Sequence, residues 1–340
     1  MTDGSCQPTG DLAPCTVQVL LCDADLRFAR HVLPHQLRVL GHHAAEVLIS
    51  VNRRPGDRPS PGLDELLGDL GRDVPQLRVV EVDHGPAGVD WVSRTFFGGG
   101  RYPLVDSKGT PFHAYLEPFR AVHQPFVLHL DSDMLIGGSG ERWLAEAIDL
   151  LRDRPEFLAA KPCSGPPRDD GTFVSGGVEV PTPVGPARAV PAFTSRMFLV
   201  EVARLVEAVT PIPLHPPTER WRRLRARLLG FPDVDNVERL IGAAMRRQAM
   251  NRIDVGGSGQ VWSLHPLHKT PSFVAALPRL IEQVESGDIP PAQQGHYNLH
   301  RSLLEQQDLP GRRQRADALV GALKRRRSAP TWSDRAPAST

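Results

Sequence analysis

The stretch Phe126-Val127-Leu128-His129-Leu130-Asp131-Ser132-Asp133-Met134 constrains the chain most. Its first five residues, four of them apolar, run into two carboxylates one residue apart, and Gly137 and Gly138 follow shortly after. A short apolar run bounded by turn residues reads as a buried strand. This one ends at Asp131 and delivers its carboxylates at its C-terminal edge. In open α/β sheets, ligands bind beyond the carboxyl ends of the strands. Two carboxylates with no Lys or Arg beside them in sequence repel each other unless a cation sits between them. Such oxygen ligands suit Mg²⁺ or Mn²⁺, which takes one or two carboxylates together with substrate phosphates. A polar turn after a strand uses the same residue types, so the neighbouring segments decide between the two readings.

Residues 16–22 read as a first strand with Asp23 at its C-terminal edge. Leu26, Ala29, Leu33, Leu37 and Leu40 recur at helical spacing, interrupted by Pro34 and ended by Gly41. A second strand follows at 46–51, a loop at 53–61, a helix marked by Leu63, Leu66, Leu67 and Leu70, and a third strand at 77–82. Strand alternating with helix predicts a parallel α/β sheet with right-handed crossovers. Residues 83–106 read as a loop with one helical turn. Lys108-Gly109-Thr110-Pro111 opens a predicted helix toward His123, with Thr110 as N-cap and Pro111 at the first position. Beyond the central strand, helices are predicted at 141–152, after the strand 196–200 as far as Val209, at 219–229, at 237–251 and at 272–285, with helix resuming near Tyr297. Further strands are predicted at 157–161, 252–255 and 260–264. Residues 162–191 are rich in Gly and Pro and take no assignment. No internal repeat is present.

The chain has 340 residues, enough for one large or two medium domains. Its 40% hydrophobic and 23% charged residues are ordinary for a soluble globular protein, and a net charge of +1 does not point to nucleic acid. The 30 Gly and 33 Pro predict long loops on an ordered scaffold. Cys6, Cys15, Cys22 and Cys163 show no CxxC pairing, which suits a reduced, cytoplasmic setting. No apolar stretch reaches the ~18 residues of a membrane span. The expected organisation is a disordered leader over 1–15, one domain over 16–300 with halves meeting near residue 137, and a basic helix and tail over 301–340. That last segment holds nine Lys/Arg against four Asp/Glu.

The order of these features resembles a nucleotide-sugar-dependent glycosyltransferase of the GT-A fold, with the layout of glycosyltransferase family 2. Four segments carry the resemblance: the strand end Cys22-Asp23, the segment Lys108-Gly109-Thr110, the DxD-like Asp131-Ser132-Asp133, and the late segment His265-Pro266-Leu267-His268-Lys269. It covers roughly residues 16–285. It implies a single large GT-A-like α/β domain, in which a Rossmann-like nucleotide-binding half with a central, mostly parallel sheet abuts an acceptor-binding half. It implies transfer of a sugar from a nucleotide diphosphate donor, a UDP-sugar foremost, to a hydroxyl acceptor, with inversion.

The resemblance also implies residue roles. Asp133 is the direct metal ligand. Asp131 meets the ribose hydroxyls or a metal-bound water, with His265 and His268 completing the Mn²⁺ or Mg²⁺ site. Asp23, Lys108, Gly109, Asp131, Ser132 and Lys269 contribute to the donor pocket. Asp235, with Glu238, is the candidate base that deprotonates the acceptor. Local alternatives stand beside each role. Asp23 is equally placed to cap the first helix. Asp235 and Glu238 also fit a capping box, and the motif lacks the adjacent Glu-Asp pair of family 2. His265 and His268 fit a polar loop, and Pro266 stands where related retaining enzymes carry a Gly. His129 shares a face with Asp131 and reads as a hydrogen-bonded core histidine.

Two other functions fit the same residues. A nucleotidyltransferase of related fold would carry glycines at Asp23-Ala24-Asp25-Leu26-Arg27, and none is there. A non-catalytic nucleotide-binding protein would bind without turnover. The Arg-rich helix 219–229 reads as a solvated face, with an anionic membrane or a phosphorylated acceptor as alternative partners. Residues 162–191 are placed to cover the acceptor site.

Overall fold

A computed structural model describes residues 12–53, 60–174, 176–266, 269–300 and 303. The first elements are β1 (Ala13–Leu21), α1 (Leu26–Val39), β2 (Ala44–Val51), α2 (Pro61–Asp73), β3 (Leu77–Glu81), α3 (Pro86–Phe97) and α4 (His113–Leu116). β4 (Phe126–Asp131), β5 (Leu135–Gly137), α5 (Trp143–Asp153), β6 (Phe157–Lys161) and β7 (Cys163–Ser164) follow. The later half contains β8 (Val178–Val180), β9 (Ala187–Val190), β10 (Met197–Glu201), α6 (Val202–Val209), α7 (Arg220–Leu229), α8 (Val237–Arg247), β11 (Asn251–Val255), β12 (Trp262–Leu264) and α9 (Pro271–Ser286).

Among the described residues, nine strands form one sheet in the order β3-β2-β1-β4-β10-β6-β11-β9-β8. The pairings make seven of the nine run in one direction, with only β10 and β9 reversed. This is the mixed α/β, mostly parallel architecture expected. The sheet is continuous across both halves of the chain. A small sheet, β5-β12-β7, stands beside it.

Side-chain alternation along the strands builds two apolar layers. Phe126, Leu128 and Leu130 of β4 pack with Leu33 and Leu37 of α1, Leu63 and Leu66 of α2, and Trp143 and Ile148 of α5. Val127 of the same strand faces the other way, into Phe96 of α3, Leu205 of α6 and Leu240 of α8. A third cluster joins α9 to β12 and β5 through Phe273, Leu277, Leu264 and Leu135. No described helix is long and apolar enough to cross a membrane.

Several local expectations are corrected. The supposed loop 83–106 contains the twelve-residue α3, which buries Val92, Phe96 and Phe97 and stops at Gly98, whose φ of 59° is left-handed. Thr110 does not cap a helix. Asp106 accepts hydrogen bonds from Lys108 N at 2.7 Å and Thr110 N at 2.9 Å, and Pro111 bridges Val105. Those bonds hold the segment as a turn, so α4 starts only at His113. Helix does not resume at Tyr297. The chain there is extended against His265, with His265 N on Tyr297 O at 2.8 Å and Leu299 N on His265 O at 3.0 Å. The unassigned stretch 162–191 supplies β7, β8 and β9. β1 begins at Ala13, inside the expected leader, and α8 ends at Arg247 rather than 251. Residues 1–11, and all but residue 303 of the basic tail 301–340, lie outside the described residues.

Candidate active site

Parallel pairing brings the C-terminal ends of β1, β2 and β4 to one edge, with Leu21 opposite Val51 and Leu20 opposite Asp131. Two clefts open there. One, of about 220 Å³, is lined by Leu21, Cys22, Asp25, Asn52, Tyr115, Asp131, Ser132, Asp133 and Lys269 among others. The second, of about 300 Å³, is lined by Asp106, Lys108, Ser195, Arg196, Arg222, Asn236, Glu238 and Arg239 among others. Thr110, Pro111, Tyr115 and Asp131 border both, so the end of β4 forms the wall between them.

Asp131 is tightly held. Its Oδ1 accepts the Tyr115 hydroxyl at 3.0 Å and lies 3.5 Å from His129 Nε2. Burial pushes its carboxyl above the ordinary range, and the nearby Asp133 adds to that; the His129 and Tyr115 contacts pull the other way without cancelling it. Burial, then Asp131, pushes the Tyr115 phenol well up. His129 is fully buried, and its Nδ1 bonds Gln18 Oε1. That agrees with the core histidine expected.

Asp133 is 5% exposed. Its Oδ2 takes the Lys269 ammonium, and its buried Oδ1 has no hydrogen-bond partner among the described residues. Lys269 Nζ also lies 4.6 Å from the centre of the Phe28 ring. Nearby, burial and the neighbouring Arg196 bring His265 down to about 4, so its imidazole is neutral at pH 7. Its Nδ1 bonds Asn298 Oδ1 at 3.2 Å; with Nδ1–H as donor, the lone pair sits on Nε2.

Among the described residues, no three His, Cys, Asp or Glu side chains stand close enough to enclose a metal ion. The expected set of Asp131, Asp133, His265 and His268 is therefore not assembled as a cage, and His268 lies outside the described residues. The donors nevertheless fit Mg²⁺ or Mn²⁺. These ions bind through one or two carboxylates plus substrate phosphates rather than all-protein cages. The orphaned Asp133 Oδ1 is a hard oxygen of the right kind.

The structure divides the remaining predicted residues. Asp131, Ser132, Asp133 and Lys269 meet in the smaller cleft. Lys108 lines the larger one instead. Gly109 shapes its turn with a φ of 77°, and a Cβ there would sit 2.5 Å from Phe231. Asp23 lines neither cleft. It pairs with Arg53 at 3.8 Å and does not cap α1. Asp25, two residues on, faces the smaller cleft and accepts Cys22 N at 3.2 Å.

Glu238 lines the larger cleft, with Oε2 accepting Ser195 N at 3.1 Å. Asp235 is 1% exposed and lies behind that wall, with Oδ1 on Asn236 N at 2.9 Å and Oδ2 on Arg239 Nη1 at 3.4 Å. The capping-box alternative is corrected: Asn236 is the N-cap of α8, and its Oδ1 accepts Arg239 N at 3.0 Å.

Sequence reading missed Asp25, Asn52, Tyr115 and Arg196. Arg196 precedes β10, and only the antiparallel pairing of β10 with β4 brings it to the site, where Asp131 N bonds Arg196 O at 2.7 Å.

No protein-family model matches the chain, and no curated protein matches it. Among solved structures, the fold is similar to the mannosyltransferase PcManGT from Pyrobaculum calidifontis in complex with GDP-Man and Mn²⁺. The identity is 15%, the TM-score 0.43, and the match covers 79% of this chain and 61% of that one. It is also similar to a mycobacterial protein of known crystal structure, at 11% identity and a TM-score of 0.36, over 80% of this chain and 73% of that one.

Proposed function

We propose that the protein is a metal-dependent glycosyltransferase that moves a sugar from a nucleotide diphosphate donor to a hydroxyl acceptor. The observation that carries this reading is the Asp133 carboxylate. It lines a cleft at the sheet's C-terminal edge, with one oxygen on Lys269 and the other buried without a hydrogen-bond partner among the described residues.

In this reading the nucleoside occupies the smaller cleft along Leu21, Asp25 and Asn52, with Ser132 and Lys269 toward the diphosphate. Mg²⁺ or Mn²⁺ held by Asp133, with Asp131 behind it, would neutralise the leaving diphosphate as a Lewis acid. Lys269 adds a mobile point charge that meets phosphate oxygens once Asp133 is otherwise engaged. The larger cleft takes the acceptor. Glu238 lines it and is the base we assign, in place of the buried Asp235. Glu238 takes the acceptor hydroxyl proton, the acceptor oxygen bonds the anomeric carbon, and the bond from that carbon to the diphosphate oxygen breaks. The nucleoside diphosphate leaves with the electron pair. Inversion, a UDP-sugar donor and membership of family 2 follow from the sequence resemblance.

A thermal-shift screen of nucleoside diphosphates with Mn²⁺, Mg²⁺ or EDTA, on wild type and Asp133→Ala, tests the donor site. Ligand at about 100 times its Kd adds roughly 2.7 kcal/mol of stability. Stabilisation by one nucleotide, only with metal and only in wild type, is expected. No shift with any nucleotide removes the reading. Nucleotide binding without donor hydrolysis under any metal would point to a non-catalytic binding protein.

A further inference from the structure

Among the described residues, eight large hydrophobic side chains are exposed, and three of them lie on α7. Trp221 is 59% exposed, Leu224 60% and Leu228 65%. At about 100° per residue, positions i, i+3 and i+7 fall within an arc of about 60°. They form one apolar stripe along the helix. The opposite face is docked: Ala226 and Leu229 are buried against Val105 and Phe231, and Gly230 ends the helix at a φ of 66°. The stripe therefore points outward from a helix that is already packed. Arginines flank it. Arg220 and Arg225 have no carboxylate partner among the described residues, while Arg223 and Arg227 lie 3.3 Å and 3.5 Å from Asp233.

Charge selects what can cover this face. A second copy would bring the same arginines against these. The chain's own segment 301–340, with nine Lys/Arg against four Asp/Glu, is also basic. The complementary occupant is anionic over a broad area and apolar just beneath. A bilayer of acidic phospholipids has that layering. Trp and Leu enter the boundary between headgroups and acyl chains, and Arg side chains extend to the lipid phosphates.

We propose that α7 seats the protein on an anionic membrane surface, with Trp221, Leu224 and Leu228 inserted and Arg220 and Arg225 on the lipid phosphates. Arg222 of the same helix lines the larger cleft, which places that cleft beside the membrane. Vesicle binding needs neither donor nor turnover, so it is read independently of transferase activity.

The test is co-sedimentation of the full chain with phosphatidylcholine vesicles, with and without phosphatidylglycerol. Wild type is expected to pellet only with the acidic vesicles, and less as salt rises. The triple variant W221S/L224S/L228S should keep its melting temperature, because all three side chains are exposed, and lose about tenfold or more in partitioning. R220Q/R225Q should lose binding to acidic vesicles as well. Absence of wild-type binding overturns the proposal. So does unchanged binding of the triple variant, which would assign the contact to the basic tail. A wild-type dimer that becomes a monomer in the triple variant also overturns it, by making the stripe a self-interface.

Discussion

The Lys269 ammonium closes on Oδ2 of Asp133, while the buried Oδ1 of the same carboxylate has no hydrogen-bond partner among the described residues. Burial works against the charge on Lys269, but the carboxylate beside it outweighs this and holds the lysine above its ordinary range. In the proposed function, lysine and a divalent cation would compete for this one carboxylate.

That competition predicts an unusual response to Lys269→Met. Without metal, the variant leaves Asp133 as an uncompensated buried charge and should lose about 3 kcal/mol of stability. Added Mn²⁺ should restore more melting temperature in the variant than it adds to wild type, because no ammonium has to be displaced. Nucleoside diphosphate affinity, measured calorimetrically with Mn²⁺, should still fall about tenfold. Equal metal responses in the two proteins would remove the competition.

Glu238 and Asp235 should separate function from stability. Glu238→Gln keeps the acceptor for Ser195 N and removes the proton acceptor in the larger cleft, so kcat should drop about 10²-fold or more with little change in melting temperature. Asp235→Ala removes an acceptor for Asn236 N and a partner of Arg239, and should cost about 1–3 kcal/mol. Wild-type kcat in Glu238→Gln, with kcat lost in Asp235→Asn, would return the base to Asp235.

Histidine 113 predicts an acid-sensitive fold. It is fully buried, with Nδ1 bonded to the Tyr102 hydroxyl at 2.6 Å and Nε2 to Asp83 O at 2.9 Å. Burial lowers it from 6.5 to about 4. Between those values the unfolded chain binds a proton that the folded chain refuses. Its contribution is therefore constant above about pH 6.5, and stability falls as pH drops toward 4, by at most about 3 kcal/mol. Burial lowers His35 in the same direction. Urea midpoints for wild type and His113→Gln across this range should show a shallower slope in the variant. Parallel slopes would exclude His113 as the source.

Gly109 should prove intolerant of a side chain. Its φ of 77° is left-handed, and a Cβ would meet Phe231 at 2.5 Å. Gly109→Ala should cost about 2 kcal/mol or more in urea denaturation. It should also raise KM for the acceptor by displacing Lys108, while donor affinity holds. A neutral substitution would show that this turn relaxes freely.

The comparison of α3 with β4 shows how legible each part of the chain was. β4 and its double carboxylate are carried by nine consecutive residues, so apolar run and carboxylates were readable together. α3 carried signals as well, with Pro86 at its start, Val92 and Phe96 at helical spacing and Gly98 at its end. The glycines at 98–100 end the helix rather than prevent it. At Thr110, local cap chemistry favoured a helix, yet the Asp106 carboxylate had already taken the backbone donors.

Periodicity and turn chemistry act over a few residues, so the parallel βα alternation, the end of β4 at Asp131 and the grouping of Asp131, Ser132 and Asp133 are legible in the chain alone. It takes the folded arrangement to show that Lys269 meets Asp133, that Asp25 rather than Asp23 faces the cleft, that Glu238 lines the second cleft while Asp235 is buried, and that Arg196 joins them. Those placements depend on the antiparallel entry of β10 beside β4 and on which face of a helix turn is buried. Both are set by packing between segments far apart in the chain, and no local pattern encodes them.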